Sequence, residues 1–163
     1  MRSPHARNSL LSPISTEVFK ARRTALANKV AEPILLMGVG YRARNLPLTS
    51  FPFRQDSTFL YYTGCDVPNA AALIEPSGET TLFLPIPGKG DALWHGVTPT
   101  KEQRRATFGV DAVHCNSTLK KTVSGRHLHT LAIPDTERTR LAADITQTTL
   151  QFGKVHGSEK LMA

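Results

Sequence analysis

The sequence of 163 residues is poor in cysteine, in tryptophan and in long apolar runs. Its two cysteines, Cys65 and Cys115, lie too far apart for a CxxC redox pair or a zinc knuckle, and they are too few for a disulfide-rich scaffold. No apolar run approaches the ~20 residues that a membrane-spanning helix needs. These absences predict a cytoplasmic protein with two reduced thiols and without a membrane partner.

Motifs for the common enzyme chemistries are also missing. The sequence contains neither the Gly-x-Ser-x-Gly elbow of serine hydrolases nor the His-Glu-x-x-His motif of zinc peptidases. Gly38-Val39-Gly40 lacks the third glycine of a dinucleotide fingerprint, and Gly88-Lys89-Gly90 lacks the spacing of a phosphate-binding loop. We therefore assign no catalytic residue from motifs alone.

Acidic residues are scarcer than basic ones. The sequence contains 13 Asp and Glu and 20 Lys and Arg, which gives a formal net charge of +7. The basic residues are scattered along the chain, whereas nucleic-acid-binding proteins usually gather them on one face or in one motif. This pattern favours a solvated basic surface. A basic nucleic-acid-associated protein remains the alternative, and its binding would weaken steeply with salt.

The segments that are present alternate between helix and strand patterns, and they predict one α/β domain with a mixed β-sheet flanked by helices. We expect a flexible N-terminal arm at 1–14, the domain at 15–150 and a frayed C-terminal tail at 151–163. The predicted helices cover 16–30, 56–64, 98–109 with Thr98 as the cap, 116–124 and 135–150, and the predicted strands cover 34–37, 70–74, 80–84, 110–113 and 127–133.

The most informative stretch is residues 53–75, FRQDSTFLYYTGCDVPNAAALIE. Asp56 or Ser57 can cap a short helix, Gly64 suits the left-handed residue that ends it, and a buried strand follows. This stretch resembles the N-terminal domain of the Xaa-Pro aminopeptidases (aminopeptidase P) of the creatinase/prolidase-like family. Further landmarks agree in order over residues 16–115: Arg22-Arg23, Leu82-Phe83-Leu84-Pro85, Leu93-Trp94-His95-Gly96 and Phe108-Gly109-Val110-Asp111.

The resemblance implies the fold and the function of the domain. Members of the family hold two metal ions, Mn²⁺ or a similar divalent pair, with two Asp, one His and two Glu of a C-terminal domain. None of these five ligands maps onto the matched residues, so we expect an isolated, non-catalytic N-terminal domain without a cofactor of its own. The resemblance further implies a homo-oligomer, a dimer or larger, in which this domain assists assembly and restricts access to the active site. A parent enzyme would release an N-terminal residue that precedes proline, so peptide substrates would be reached only through a full-length enzyme.

Four residues are candidates for a place near substrate or at an interface. By resemblance, the loop with Trp94 and His95 would approach a neighbouring subunit's substrate pocket, and Arg54 and Asp56 would lie near it. From the residues alone, Trp94 is a partly buried loop residue, and Arg54 and Asp56 tie the central loop to the core. His95 stands where the family usually has an aspartate, so a carboxylate role is missing there.

Two further histidines, His127 and His129, lie two residues apart in a predicted strand and would therefore point to one face. A metal site would need a third ligand from elsewhere, such as His95 or His114. Because two surface histidines alone favour a structural role, we assign no metal ligand. A stand-alone protein- or peptide-binding scaffold, using the loops around 88–98, remains a second functional reading.

Overall fold

The computed structural model describes residues 14–45, 49–85 and 99–151, and the backbone of 155–156. Almost all of the predicted arm, and both Trp94 and His95, lie outside these ranges. The described helices are α1 (Thr16–Val30), α2 (Ser57–Thr63), α3 (Lys101–Phe108), α4 (Leu119–Val123) and α5 (Thr136–Thr146). The described strands are β1 (Ile34–Met37), β2 (Ala71–Ile74), β3 (Thr80–Leu84), β4 (Ala112–Cys115), β5 (Thr130–Leu131) and β6 (Val155–His156).

The main sheet has four strands in the order β1-β2-β3-β4. β1 and β3 pair antiparallel with β2, and β4 pairs parallel with β3. A parallel bridge between Ile34 and His129 brings the β5–β6 pair to the free side of β1. The structure therefore confirms a mixed sheet with helices. β1, β3, β4 and β5 point the same way, so we call the two ends of the sheet the carboxyl end and the amino end of these strands.

β1 and β2 are buried on both faces, which explains why these two strands are apolar without a break, whereas β3 begins with two threonines and β4 carries the exposed His114. Even positions of β1 face α1 and α2, and odd positions face α4 and α5. The first core contains Leu26, Val30, Ile34, Leu36, Phe59, Ala72, Ile74, Leu82 and Leu84. The second contains Leu35, Met37, Ala71, Leu73, Phe83, Leu119, Val123, Ile133, Ala142 and Ile145.

Local signals place most helix ends correctly. Ser15, Asp56 and Asp135 cap α1, α2 and α5, and each accepts a hydrogen bond from a backbone N–H of the first turn. The start predicted for α3 is wrong, because Thr100 and not Thr98 is its cap. Thr100 and Gln103 form a reciprocal capping box, which Thr98 cannot form because Lys101 stands at the matching position.

Elements that depend on distant contacts differ more from the prediction. β4 begins two residues later than predicted, because Asp111 is bound to the start of β3. The Asp111 carboxylate accepts a hydrogen bond from the Thr80 N–H at 2.7 Å, and the Asp111 N–H donates to the Thr80 carbonyl at 3.0 Å. The predicted helix 116–124 opens with a 3₁₀ turn over Asn116–Thr118. The strand predicted at 127–133 shortens to Thr130–Leu131.

The last helix and the tail also differ. α5 ends at Thr146, four residues before the predicted end, because Gln147 takes a left-handed conformation with φ 51°. Within the tail that was expected to fray, Val155–His156 forms β6 and pairs with β5.

A buried arginine joins three helices. Arg23 of α1 is 1 % exposed, and its guanidinium donates to the carbonyls of Tyr62, at 3.0 Å, and of Gly109. Carbonyl groups at the ends of α2 and α3 are thus the hydrogen-bond partners of this arginine. Burial lowers the pKa of Arg23, and nearby Asp111 partly offsets this effect. None of the described helices is both long and apolar enough to span a membrane.

Candidate functional site

The stretch that carries the resemblance crosses the carboxyl end of the sheet and is held there by Gln55. The Gln55 side chain is buried, and its oxygen accepts from the N–H groups of Val39, at 2.8 Å, and Asp56, at 2.9 Å. Its nitrogen donates to the Val67 carbonyl at 3.0 Å. One amide thereby connects the end of β1, the start of α2 and the approach to β2.

Gly38 makes this arrangement possible. A Cβ atom at Gly38 would lie 2.9 Å and 3.0 Å from the two side-chain amide atoms of Gln55 and 3.1 Å from the Ala70 carbonyl oxygen. These separations are too short for an ordinary contact. A residue without a side chain is therefore required where β1 leaves the sheet.

Arg138 closes the same region from the other side. Its Nε donates to the Gly38 carbonyl at 2.9 Å and its Nη2 to the Ala70 carbonyl at 2.7 Å. Burial lowers its pKa, and the neighbouring Asp135 opposes that shift. Asp135 also accepts from the Gly40 N–H at 2.8 Å. The carboxyl end is therefore a rigid framework of hydrogen bonds from side chains to the backbone.

The structure gives Asp56 and Arg54 different surroundings. Asp56 caps α2, and its Oδ1 accepts from the Phe59 N–H at 2.9 Å. Asp56 is therefore the cap that the sequence predicted for this helix. Arg54 is exposed. Whether either residue lies near a substrate stays a prediction.

Exposed aromatic and basic side chains cover the outside of this framework. Tyr41 is 62 % exposed and meets the ring of Phe53 edge-on, with 5.4 Å between the ring centroids. Phe51 is 50 % exposed, and the guanidinium of Arg44 lies 5.2 Å from its ring centroid. We call Tyr41, Arg44, Phe51, Phe53 and Arg54 the carboxyl-end surface.

Trp94 and His95 lie outside the described residues, so their predicted roles stay predictions. The segment that contains them follows Pro85, directly after β3, and so starts from the carboxyl end of the sheet.

The amino end of the sheet carries a separate polar cluster. Oε2 of Glu32 lies 3.0 Å from Nδ1 of His127 and 2.6 Å from Nε2 of His129. These hydrogen bonds lower the pKa of Glu32, with the bond from His129 as the main cause. Among the described residues, this is the one group of three His, Cys, Asp or Glu side chains with converging ligand atoms. His114, considered above as the third ligand, lies on β4, at the opposite edge of the sheet.

Comparison with known proteins decides the family. The family model of the aminopeptidase P N-terminal domain matches residues 19–130. The chain belongs to the aminopeptidase P N-terminal domain family.

The aminopeptidase P relatives are much longer than this chain. A probable Xaa-Pro aminopeptidase of Penicillium rubens is 34 % identical over 92 residues, which cover 53 % of this chain and 20 % of the relative. A probable Xaa-Pro aminopeptidase of Aspergillus fumigatus is 35 % identical over 78 residues, which cover 45 % of this chain and 17 % of the relative. The match thus spans about a fifth of the length of these relatives.

Solved aminopeptidase P structures share the fold. Aminopeptidase P from Escherichia coli, in its low-pH form, superposes with a TM-score of 0.70 at 20 % identity and covers 83 % of this chain and 33 % of its own. The Pseudomonas aeruginosa aminopeptidase PepP superposes with a TM-score of 0.70 at 23 % identity, and the match again covers 83 % of this chain and 33 % of the enzyme. This chain therefore spans about a third of the solved enzymes.

The metal set that the aminopeptidase P resemblance implies does not fit the described residues. That set needs two Asp, one His and two Glu, whereas the cluster at the amino end offers one Glu and two His. We therefore derive no two-metal chemistry from these residues.

Some residues of both sites were missed from sequence. Gln55 is an uncharged residue beside the cap of α2, and Arg138 is one of the scattered basic residues, so neither carries a sequence signal for its contacts. Glu32 carries no sequence signal, since it is a single acidic residue between the end of α1 and Pro33.

Proposed function

We propose that this chain serves as the non-catalytic N-terminal domain of a metal-dependent Xaa-Pro aminopeptidase, in which it assists assembly and restricts access to the active site. The match of residues 19–130 to the aminopeptidase P N-terminal domain carries the proposal. The parent enzyme would release an N-terminal residue that precedes proline, and it would use Mn²⁺ or another divalent pair bound outside the matched residues.

The carboxyl-end surface supports a role in assembly. Tyr41 and Phe51 expose large aromatic areas beside Arg44, and Tyr, Phe and Arg are enriched where proteins meet. The rigid framework beneath them, held by Gln55 and Arg138, would present these side chains with little loss of conformational entropy. We propose that a second copy, or the catalytic domain, packs here in a dimer or larger oligomer.

The segment after β3 supports the role in access. It starts from the same end of the sheet and contains Trp94 and His95, a bulky aromatic ring beside an imidazole. Such side chains would narrow the entrance to the active site by their size. They would contact a peptide through the apolar face of the indole ring and through the N–H groups of both rings. A cytoplasmic location belongs to the same proposal, and the buried thiol of Cys65, which forms no disulfide, supports it.

An activity measurement tests the non-catalytic part. The purified chain is incubated with Mn²⁺ and an Xaa-Pro peptide, and full-length Escherichia coli aminopeptidase P serves as the positive control. We expect cleavage by the control enzyme and none by the chain. Turnover by the chain, removed by a chelator, would overturn this part.

Sedimentation velocity over a wide concentration range tests assembly. We expect association that weakens in Phe51→Ser, whereas Tyr61→Ser, which changes an exposed aromatic residue of α2, leaves it intact. A wild-type chain that remains monomeric at every concentration, and that also fails to bind a separately produced catalytic domain, would contradict the assembly role.

A chimaera tests access. This domain replaces the N-terminal domain of the Escherichia coli enzyme, and Trp94→Ala is compared with His114→Ala, which changes an exposed residue of β4. We expect Trp94→Ala to change KM for Xaa-Pro peptides while the metal content stays constant. An equal KM for Xaa-Pro peptides in the two variants would contradict a role of Trp94 in substrate access.

A further inference from the structure

The cluster at the amino end of the sheet has the composition of a metal site. We propose that Glu32, His127 and His129 bind one Zn²⁺ ion, with water in the fourth position. Two imidazoles and one carboxylate are ligands that Zn²⁺ accepts, and three protein ligands with one open position form a common zinc arrangement. The site lies away from the carboxyl-end surface and is independent of the proposed function.

The distances suit such an ion. The three ligand atoms lie within 4.8 Å of one another, with 2.6 Å and 3.0 Å from Glu32 Oε2 to the two imidazole nitrogens. Zinc–nitrogen distances of about 2.0–2.1 Å in a tetrahedron place ligand atoms about 3.3 Å apart. The two short contacts need to open by less than about 1 Å, a movement open to the half-exposed Glu32 side chain, and the third separation, at most 4.8 Å, needs to close by about 1.5 Å or less.

The backbone fixes His129 and Glu32 close together. His129 donates its N–H to the Pro33 carbonyl at 2.9 Å, and its carbonyl accepts from the Leu35 N–H at 2.8 Å. Glu32 follows Ala31, whose left-handed conformation ends α1, and precedes Pro33. His129 therefore sits on β1 directly beside the turn that carries Glu32. This arrangement exists before any ion arrives.

One of the three proposed ligands is buried and the other two are exposed, which leaves a coordination position open to water. The side chain of His129 is 4 % exposed, whereas those of Glu32 and His127 are 49 % and 78 % exposed. His129 forms the floor of the site, and the other two ligands leave the solvent side free for water. The neighbouring cation, Arg126, is paired with Glu75 at 2.6 Å, which reduces its repulsion of an incoming ion.

One feature limits the affinity. Nδ1 of His129 is buried without a hydrogen-bond partner among the described residues. When Nε2 binds an ion, Nδ1 carries the proton of the neutral imidazole, and metal-binding histidines usually donate that proton to an acceptor. The missing acceptor weakens zinc binding by about 10–100-fold compared with a fully supported site.

Zinc titration of the tag-free chain tests the proposal. Equilibrium dialysis measures stoichiometry and affinity, and the visible absorption of Co²⁺ reports tetrahedral ligation. His127→Ala is the main variant, because its exposed side chain can be removed without disturbing the core. His114→Ala is the matched control, since it removes an exposed histidine from the far edge of the sheet.

We expect one Zn²⁺ per wild-type chain and per His114→Ala chain. In His127→Ala and Glu32→Gln we expect a loss of at least about tenfold in affinity, since changes outside the ligand shell alone cost about that much. Zinc should also raise the melting temperature of the wild type and not of His127→Ala. No zinc above background, or equal affinity in all four chains, would mean that the cluster is only a hydrogen-bonded ion pair and would overturn the proposal.

Discussion

Gln55 and Val39 are joined by a hydrogen bond of 2.8 Å, in which the side-chain oxygen of Gln55 accepts from the backbone N–H of Val39. The same side chain also bonds to Asp56 and Val67. The stretch that identifies the family is thereby fixed to the end of the first strand by a single neutral amide.

Replacing Gln55 tests how much this amide stabilises the domain. Gln55→Ala leaves the Val39 N–H and the Val67 carbonyl without their partner, and each unsatisfied buried group costs about 1–3 kcal/mol. We expect a loss of about 3 kcal/mol in the free energy of unfolding, measured by urea denaturation. The exposed neighbour supplies the control: Arg54→Ala should change stability by less than about 0.5 kcal/mol.

Gly38→Ala tests the close approach between β1 and Gln55. The added methyl group would meet the Gln55 amide at 2.9 Å, and crowding of this kind costs about 1–3 kcal/mol. A double-mutant cycle with Gln55→Ala should show strong coupling, because the second change removes the two shortest contacts and leaves only the one with the Ala70 carbonyl oxygen at 3.1 Å. Gly125→Ala should show no such coupling: its Cβ has open space, although φ of +74° strains it. Additive effects of Gly38→Ala and Gln55→Ala would contradict this account.

Arg23→Ala tests the connection between three helices. The change removes two hydrogen bonds from a buried guanidinium, each worth about 1.5–3 kcal/mol. We expect a loss of at least about 3 kcal/mol in thermal or urea unfolding. Arg22→Ala is the comparison: Arg22 donates to the Tyr61 carbonyl at 3.0 Å and covers its ring at 4.0 Å in a more exposed position. Its loss should cost about 1 kcal/mol, and equal losses would disprove the special role of Arg23.

Cys65 should resist thiol reagents in the folded protein. Burial raises the pKa of its thiol to about 12, so the reactive thiolate is scarce at pH 8. Mass spectrometry after brief alkylation should show label on Cys115, which is half-buried, before Cys65. Equal labelling of the two in the native protein would contradict the burial of Cys65.

The same thiol makes stability depend on alkaline pH. Its folded pKa lies above the unfolded value of about 8.5, so its contribution is complete below that value and is lost as pH rises towards about 12. The loss approaches about 1.4 kcal/mol per pH unit. Cys65→Ala should remove this part of the pH dependence, and an unchanged slope would argue against it.

Local chemistry made part of the fold predictable. Asp56 and Gly64 bracket α2 by a cap and a left-handed residue, and both signals lie within the helix's own sequence. The turn that joins β2 to β3 depends on equally local contacts, since the Gly78 N–H donates to the Glu75 carbonyl at 2.8 Å.

The remainder depends on contacts between distant residues, and no local pattern reveals these. Glu32 and His127 meet although they are 95 positions apart, so the two histidines can be recognised as a pair in the sequence, whereas their third partner cannot. β5 is short because the bridge from His129 to β1 decides where pairing begins, whereas the alternation of residues 127–133 suggested a longer strand.

Thr80 and Asp111 bind each other reciprocally where β3 and β4 begin. β2 and β3 are joined by a short turn and can pair early, whereas β4 arrives after a long connection whose closure costs entropy. We expect the Asp111 carboxylate to serve as a starting point from which β4 aligns, because a slip of one residue would turn every side chain of β4 to the opposite face. We expect Asp111→Ala to slow refolding in stopped-flow experiments, and an unchanged rate would show that alignment comes later. On this account, one residue that belongs to no strand sets the register of the last main strand.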